Sequence, residues 1–141
     1  MSPGELVWST DLAVGIADLD DAHREMVDLY NRIVWACEND VGVETVRERI
    51  RTFLTYARWH FGQEETFMCQ LHYPGYMDHK TDHQRLLQDA VDFVASFGRA
   101  LGSEDSHAVA SYFKYWLTRH MADRDTDLRT FLKTSKSVSP A

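Results

Sequence analysis

Seven polar side chains lie where this sequence would be expected to place apolar ones. His60 and Glu64 stand four residues apart in Arg58-Trp59-His60-Phe61-Gly62-Gln63-Glu64-Glu65. His79 and His83 repeat that spacing, His120 and Asp125 stand five apart, and His23 stands alone. Each falls on a stripe of apolar residues recurring every three to four positions, the pattern of an α-helix with one buried face. Residues four apart stack on the same helix face. A chain patterned this way buries histidines and acids between helices, and its fold has to give them partners there.

The stripes define four helices. Residues 1–17 show no sustained period and read as an irregular arm, with Trp8, Val14 and Ile16 available to tie it down. The first helix is expected over about 19–38, opening on acids at Asp18 to Asp20 that suit a helix N-terminus. Its inward face is His23, Met26, Val27, Tyr30, Ile33, Val34 and Cys37. The second, about 43–68, turns Val46, Ile50, Phe53, Ala57, His60, Glu64 and Phe67 inward. Tyr73-Pro74-Gly75 is a turn signal. The third helix, about 78–97, carries His79, His83, Leu86, Ala90, Phe93, Val94 and Phe97 inward. Gly98 to Ser106 reads as a loop. The fourth helix, about 105–133, presents Val109, Phe113, Trp116, Leu117 and His120. Its pattern stumbles at Asp123 and Arg124 and resumes at Leu128, Phe131 and Leu132, and the tail from Thr134 reads as frayed. With 7 Gly and 3 Pro in 141 residues, little interrupts these runs. The length suits one domain, residues 1–141. The simplest architecture is all-α: an antiparallel up-down-up-down four-helix bundle with an N-terminal irregular arm.

Charge and composition exclude several roles. A net charge of −7 without a Lys/Arg stripe argues against nucleic acid as a partner. No apolar run approaches the ~20 residues that span a bilayer, and the N-terminus lacks the basic and apolar regions of a signal peptide. Cys37 and Cys69 are too few for a disulfide framework. A cytoplasmic protein with reduced thiols is therefore expected. Neither cysteine neighbours bases that would activate it.

A single core histidine such as His23 is ordinarily satisfied by its neighbours. Five with two acids are another matter, because no Lys or Arg on those stripes neutralises the acids. Unpartnered, each buried group would cost several kcal/mol. A metal centre resolves the conflict. Zinc prefers four ligands, often with cysteine, so seven ligands suggest two ions. Five imidazoles are too nitrogen-rich for calcium or magnesium, whereas mixed imidazole and carboxylate suits iron or manganese. If both acids bridge the ions, they supply four bonds and the histidines five. A solvent-derived oxo or hydroxo bridge adds two. Two octahedral ions take twelve, which leaves one position for one small molecule. His120 and Asp125 lie ~140° apart on an ideal helix, so their convergence predicts a local π-type widening.

These residues resemble the bacterial hemerythrins, non-haem di-iron oxygen-binding four-helix bundles. The likeness runs from Val7-Trp8 to about Leu132 and rests on four motifs: Trp8-Ser9…Gly15-Ile16…Asp20-Asp21-x-His23; His60-Phe61-x-x-Glu64-Glu65; Tyr73-Pro74…His79-x-x-x-His83; and Trp116-Leu117-x-x-His120-x-x-x-x-Asp125. No ligand position departs from the family pattern. The resemblance implies two iron ions, oxo- or hydroxo-bridged. His79, His83 and His120 would hold one, His23 and His60 the other, and Glu64 and Asp125 would bridge. O2 would bind at the two-histidine iron. Phe61, Met68, Trp116, Leu117 and Met121 would line the O2 pocket, although each also fits ordinary core packing. His72 and His107 are expected at the surface. Glu65 points off the ligand face and is expected to be solvated or to brace a ligand.

The leading expectation is reversible O2 binding for delivery, storage or buffering, by a monomer. An oxygen or redox sensor acting through a protein partner is one alternative. A di-iron enzyme acting on peroxide or nitric oxide, or a ferroxidase, is another. Five neutral imidazoles favour the ferrous state, and no general acid or base beyond the ligands is visible, so a dedicated enzyme is not expected.

Overall fold

A computed structural model describes residues 4–9, 12–96 and 103–138. Four α-helices carry the described chain: α1 (Ala17–Glu38), α2 (Val43–Gln70), α3 (Tyr76–Ala95) and α4 (Ser103–Val138). No strand occurs among the described residues. α1 packs on α2 and α4, and α2 packs on α3. Together the four helices form a four-helix bundle.

The helix ends differ in places from those expected. α4 starts at Ser103, so residues 103–106 belong to the helix rather than to a loop. It also continues to Val138, past the frayed tail expected from Thr134, because no Gly or Pro follows Lys133 until Pro140. Phe97, expected as the end of the third helix, and residues 98–102 of the expected loop lie outside the described residues, as do 139–141. On α2 Met68 is fully buried while Phe67 is half-buried, the reverse of the expected facing. Cys37 is only half-buried.

The connections are set by local backbone chemistry. Gly42 precedes α2 at φ +100°, a conformation that glycine adopts without a Cβ clash. α2 ends in a Schellman arrangement: Tyr73 N–H donates to the Met68 carbonyl (3.0 Å) and His72 N–H to that of Cys69 (3.1 Å). His72 takes the left-handed position usually given to glycine, at φ 53°. Met68 and Tyr73 then meet in one apolar cluster.

The arm is strapped down by polar contacts. Leu6 N–H donates to Asn31 Oδ1, and Asn31 Nδ2 donates back to the Leu6 carbonyl, both at 2.9 Å. The Tyr30 hydroxyl donates to the Gly4 carbonyl at 2.6 Å. Asp20, in the first turn of α1, accepts from Val14 N–H (2.6 Å) and Gly15 N–H (3.2 Å), the reach-back of a capping residue.

The apolar core comes in two clusters. The larger holds Met26, Ile33, Ile50, Phe53, Phe61, Phe113, Trp116, Leu117 and Met121 among others. The smaller holds Val14, Leu19, Met68 and Leu128. Between them, along α2 and α4, lie Glu64 and the segment His120 to Asp125.

Candidate metal centre

All seven polar stripe residues meet between the two clusters. His23 comes from α1, His60 and Glu64 from α2, His79 and His83 from α3, and His120 and Asp125 from α4. None is more than 2 % exposed. Glu64 is the hub. Its Oε1 lies 2.6 Å from His79 Nε2, 3.1 Å from His83 Nε2 and 3.8 Å from His120 Nε2. Its Oε2 lies 3.3 Å from His60 Nε2 and 3.5 Å from His23 Nε2. One carboxylate therefore divides the imidazoles three to one oxygen and two to the other. Asp125 makes a second crossing: its Oδ2 is 3.0 Å from His23 Nε2 and 3.4 Å from His120 Nε2, and its Oδ1 is 3.4 Å from His79 Nε2.

The expected π-type widening does not occur, because α4 is α-helical from Ser103 to Val138. His120 and Asp125 converge through their side chains instead. His120 Nε2 and Asp125 Oδ2 lie 3.4 Å apart although their backbone positions are five residues apart on an unbroken helix.

Except for His83 Nε2 with Glu64 Oε1, the contacts are close but are not aimed as hydrogen bonds. Both ring nitrogens of His23, His79 and His120, Nε2 of His60, Oε2 of Glu64 and both Asp125 oxygens are buried without a hydrogen-bond partner. Each such atom costs about 1–3 kcal/mol if left so. Lone pairs that converge on shared points rather than on each other's protons are what a cation site requires. Two sets of donor atoms lie within 4.8 Å of one another: Glu64, His79, His83 and His120, and His23, Glu64, His120 and Asp125. His120 thus reaches both sets, while His60 joins through its contact with Glu64. The donor chemistry, imidazole and carboxylate without thiolate, fits a metal of intermediate hardness.

The electrostatics show how strongly these groups act on each other. Burial depresses the His23 imidazole, but the Asp125 and Glu64 carboxylates beside it more than reverse this and raise its pKa to about 10. His79 is raised to about 9 by the same balance. His120 is lowered to about 4, because burial there outweighs the two carboxylates. Burial pushes Glu64 upward, yet His23, His60, His79 and His83 hold it well below the usual carboxylate range. Asp125 is opposed by burial and by Glu64, and is lowered by His120 and His23.

The five apolar residues expected around an O2 pocket are all buried and fall in the two clusters on either side of the centre. Phe61 stacks on His83 (3.8 Å between centroids, 3° between planes) and lies 4.9 Å from His120 and 6.0 Å from His60. Phe61, Trp116, Leu117 and Met121 belong to the larger cluster, whereas Met68 belongs to the smaller one. The cause is register: Met68 sits one turn past Glu64 on α2, and the other four sit before Glu64 on α2 or around His120 on α4. His72 and His107 are exposed. Both cysteines are free, and burial, aided by Glu38, pushes the Cys37 thiol up to about 11.

Two contacts brace ligand rings from outside, the first being one of the two roles expected of Glu65, though its partner was not foreseen. Glu65 Oε2 sits 2.8 Å from His83 Nδ1, and Gln63 Oε1 sits 3.4 Å from His60 Nδ1. The adjacent acids Glu64-Glu65 were the available signal, but helical spacing alone does not say which helix edge meets a neighbour.

Fold and centre together define a four-helix bundle with a buried histidine–carboxylate cluster able to hold a metal ion. The chain belongs to the hemerythrin family: the Hemerythrin HHE cation binding domain matches residues 14–132. It is 28% identical over 120 residues to the bacteriohemerythrin of Stenotrophomonas maltophilia (strain R551-3), covering 85% of this chain and 76% of that protein. It is also 28% identical over 130 residues to one of the hemerythrin subunits of Sipunculus nudus, covering 92% of this chain and 96% of that protein. The crystal structure of a hemerythrin point mutant superposes with a TM-score of 0.68 at 18% identity, covering 85% of this chain and 91% of that one. Among the described residues no helix is long and apolar enough to cross a membrane.

Proposed function

We propose that this protein binds O2 reversibly at a di-iron centre. His79, His83 and His120 hold one iron, His23 and His60 hold the other, and Glu64 and Asp125 join them. The observation that supports this is the division of the five imidazoles about Glu64, three facing Oε1 and two facing Oε2. Bound by these residues, a ferrous pair would supply the two-electron redox chemistry that reversible O2 binding needs, and the half held by only His23 and His60 has fewer protein donors. The residues of the chain do the rest. Five imidazoles bind as neutral donors and leave the ferrous state favoured. Phe61 lies against His60, His83 and His120, and with Trp116, Leu117 and Met121 it excludes water from one side of the centre. Met68 and Leu128 close the other side.

The test is an optical spectrum of the reduced protein under argon, after exposure to air, and after return to argon, with iron quantified on the same sample. A charge-transfer band that appears in air and disappears under argon, at two irons per chain, is expected. An absent or irreversible band refutes the proposal. Sustained turnover of peroxide or nitric oxide, with rapid autoxidation in air, would assign the site to catalysis instead.

A further inference from the structure

α2 grips His83 at both ring nitrogens. Nε2 faces Glu64 Oε1 at 3.1 Å, and Nδ1 faces Glu65 Oε2 at 2.8 Å. Phe61, one turn earlier on the same helix, lies flat on the ring at 3.8 Å. Consecutive helical residues point about 100° apart. Glu64 therefore reaches into the bundle while Glu65 stays at its edge, with its side chain 20% exposed. His83, arriving from α3, fills the angle between the two acids. No other imidazole of the cluster is held this way. The Nδ1 atoms of His23, His79 and His120 have no hydrogen-bond partner among the described residues. That of His60 has only the neutral Gln63 oxygen at 3.4 Å. Among the described residues neither Lys nor Arg forms an ion pair with Glu65, so its charge is directed at His83.

We propose that Glu65 is a positioning residue for the metal centre: it keeps the proton of His83 on Nδ1 and so presents Nε2 as the metal-binding atom. A neutral imidazole carries one N–H, and the partner of that N–H decides which nitrogen remains free. Because the partner is a carboxylate, it also draws the N–H proton toward itself and makes Nε2 a stronger donor. The three-histidine half of the site consequently holds its ion more tightly than its three imidazoles would alone. The inference rests on His83 being a metal ligand, as the proposed function has it. It adds a role for the second acid of the Glu-Glu pair and an inequality between the two halves of the centre.

The test uses the full-length protein, stripped with a chelator and titrated under argon with Co2+ alone. Glu65→Ala should weaken one of two Co2+ equivalents about 10–100-fold, the usual effect of removing an outer partner of a ligand. Glu65→Gln retains an acceptor oxygen without the charge and should fall between Ala and wild type. In the Co2+-loaded wild type the His83 Nδ1 proton should give a paramagnetically shifted, slowly exchanging NMR signal, and this signal should be lost in Glu65→Ala. Helix content and the melting temperature of the metal-free protein should not change. Wild-type affinity in Glu65→Ala overturns the inference. So does a loss at both equivalents accompanied by a lower metal-free melting temperature, because Glu65 would then support the fold rather than the ligand. A wild type that takes up no Co2+ defeats the ligand set and this inference with it. A wild type that takes up two equivalents, matched by Glu65→Ala, defeats this inference alone.

Discussion

Without metal, the centre has to balance its own charge, and the way it does so fixes how metal binding depends on pH. Glu64 and Asp125 are held ionised, since the imidazoles around them overcome the burial that opposes their charge. The compensating protons sit on His23 and His79, which burial disfavours but the two carboxylates raise to about 10 and about 9. His120, lowered to about 4, stays neutral. Two imidazoliums thus face two carboxylates. A metal binds only the neutral ring, so loading expels both protons. Between pH 7 and about pH 8.5 the apparent affinity for each ion should rise about tenfold per pH unit, one proton being displaced per ion, and the product of the two affinities about 100-fold. The rise should flatten as pH passes 9 and then 10. Competition of the stripped protein with a chelator of known affinity for Co2+, repeated across that range, measures the slope. Imidazole NMR titration of the metal-free protein reads the two protons directly. A slope below about threefold per unit for each ion refutes the reasoning, as does titration of His23 and His79 near 6.5. The same values set the stability of the metal-free fold. A raised folded-state pKa stabilises fully below the unfolded value of about 6.5, and that stability is lost as pH rises through 9 and 10. The depressed carboxylates contribute above the unfolded carboxylate range and lose their contribution as pH falls below it. The metal-free protein should therefore melt highest between these limits.

Three substitutions test separate parts of the structure. His60→Ala should abolish the reversible oxygen band while the three-histidine half retains its ion; a variant that still cycles would show that the open position lies elsewhere. Phe61→Ala removes a ring that is 1% exposed and stacked on His83, and should cost about 3–5 kcal/mol in denaturant unfolding of the metal-free protein. A cost under about 1 kcal/mol would mean that the ring does not pack as described. His72→Gly relieves a non-glycine left-handed residue at φ 53° and should stabilise the fold by about 1 kcal/mol, a rise of a few degrees in Tm. A lower Tm would argue against that turn geometry.

Much of this was legible in the sequence because helical periodicity is a one-dimensional signal. The three-four stripes located all four helices, and the polar residues on them located the centre, since an inward histidine or acid must meet something inside. What was not legible depends on contacts between helices or on the reach of side chains. The convergence of His120 and Asp125 looked like a backbone problem on an ideal helix, yet the backbone stays helical and the side chains alone bring their ends to 3.4 Å. Glu65 faced away from the ligand stripe of its own helix, and only the placement of α3 brings His83 Nδ1 to it. The exchange of Phe67 for Met68 as the buried residue follows from the tight ending of α2, where Met68 packs with Tyr73. The continuation of α4 to Val138 reflects the lack of a stop signal, which the fading apolar pattern concealed.

The layer of imidazoles and carboxylates cuts the bundle's apolar interior in two, and this bears on how the molecule comes apart. The smaller block rests on Val14, Leu19, Met68 and Leu128. At about 1.5–3 kcal/mol for each buried side chain, it offsets the ordering of only a handful of residues at about 1–2 kcal/mol each. That end of the bundle cannot stand as a folding unit by itself. Its link to the larger block runs through the helices and through the polar layer, where His23, Glu64, His79 and Asp125 belong to four different helices. An ion held there acts as a mechanical tie across all four. Filling the site would join the two blocks into one cooperative unit, and the metal-free protein is expected to open first at the smaller block, as earlier hydrogen exchange there would show.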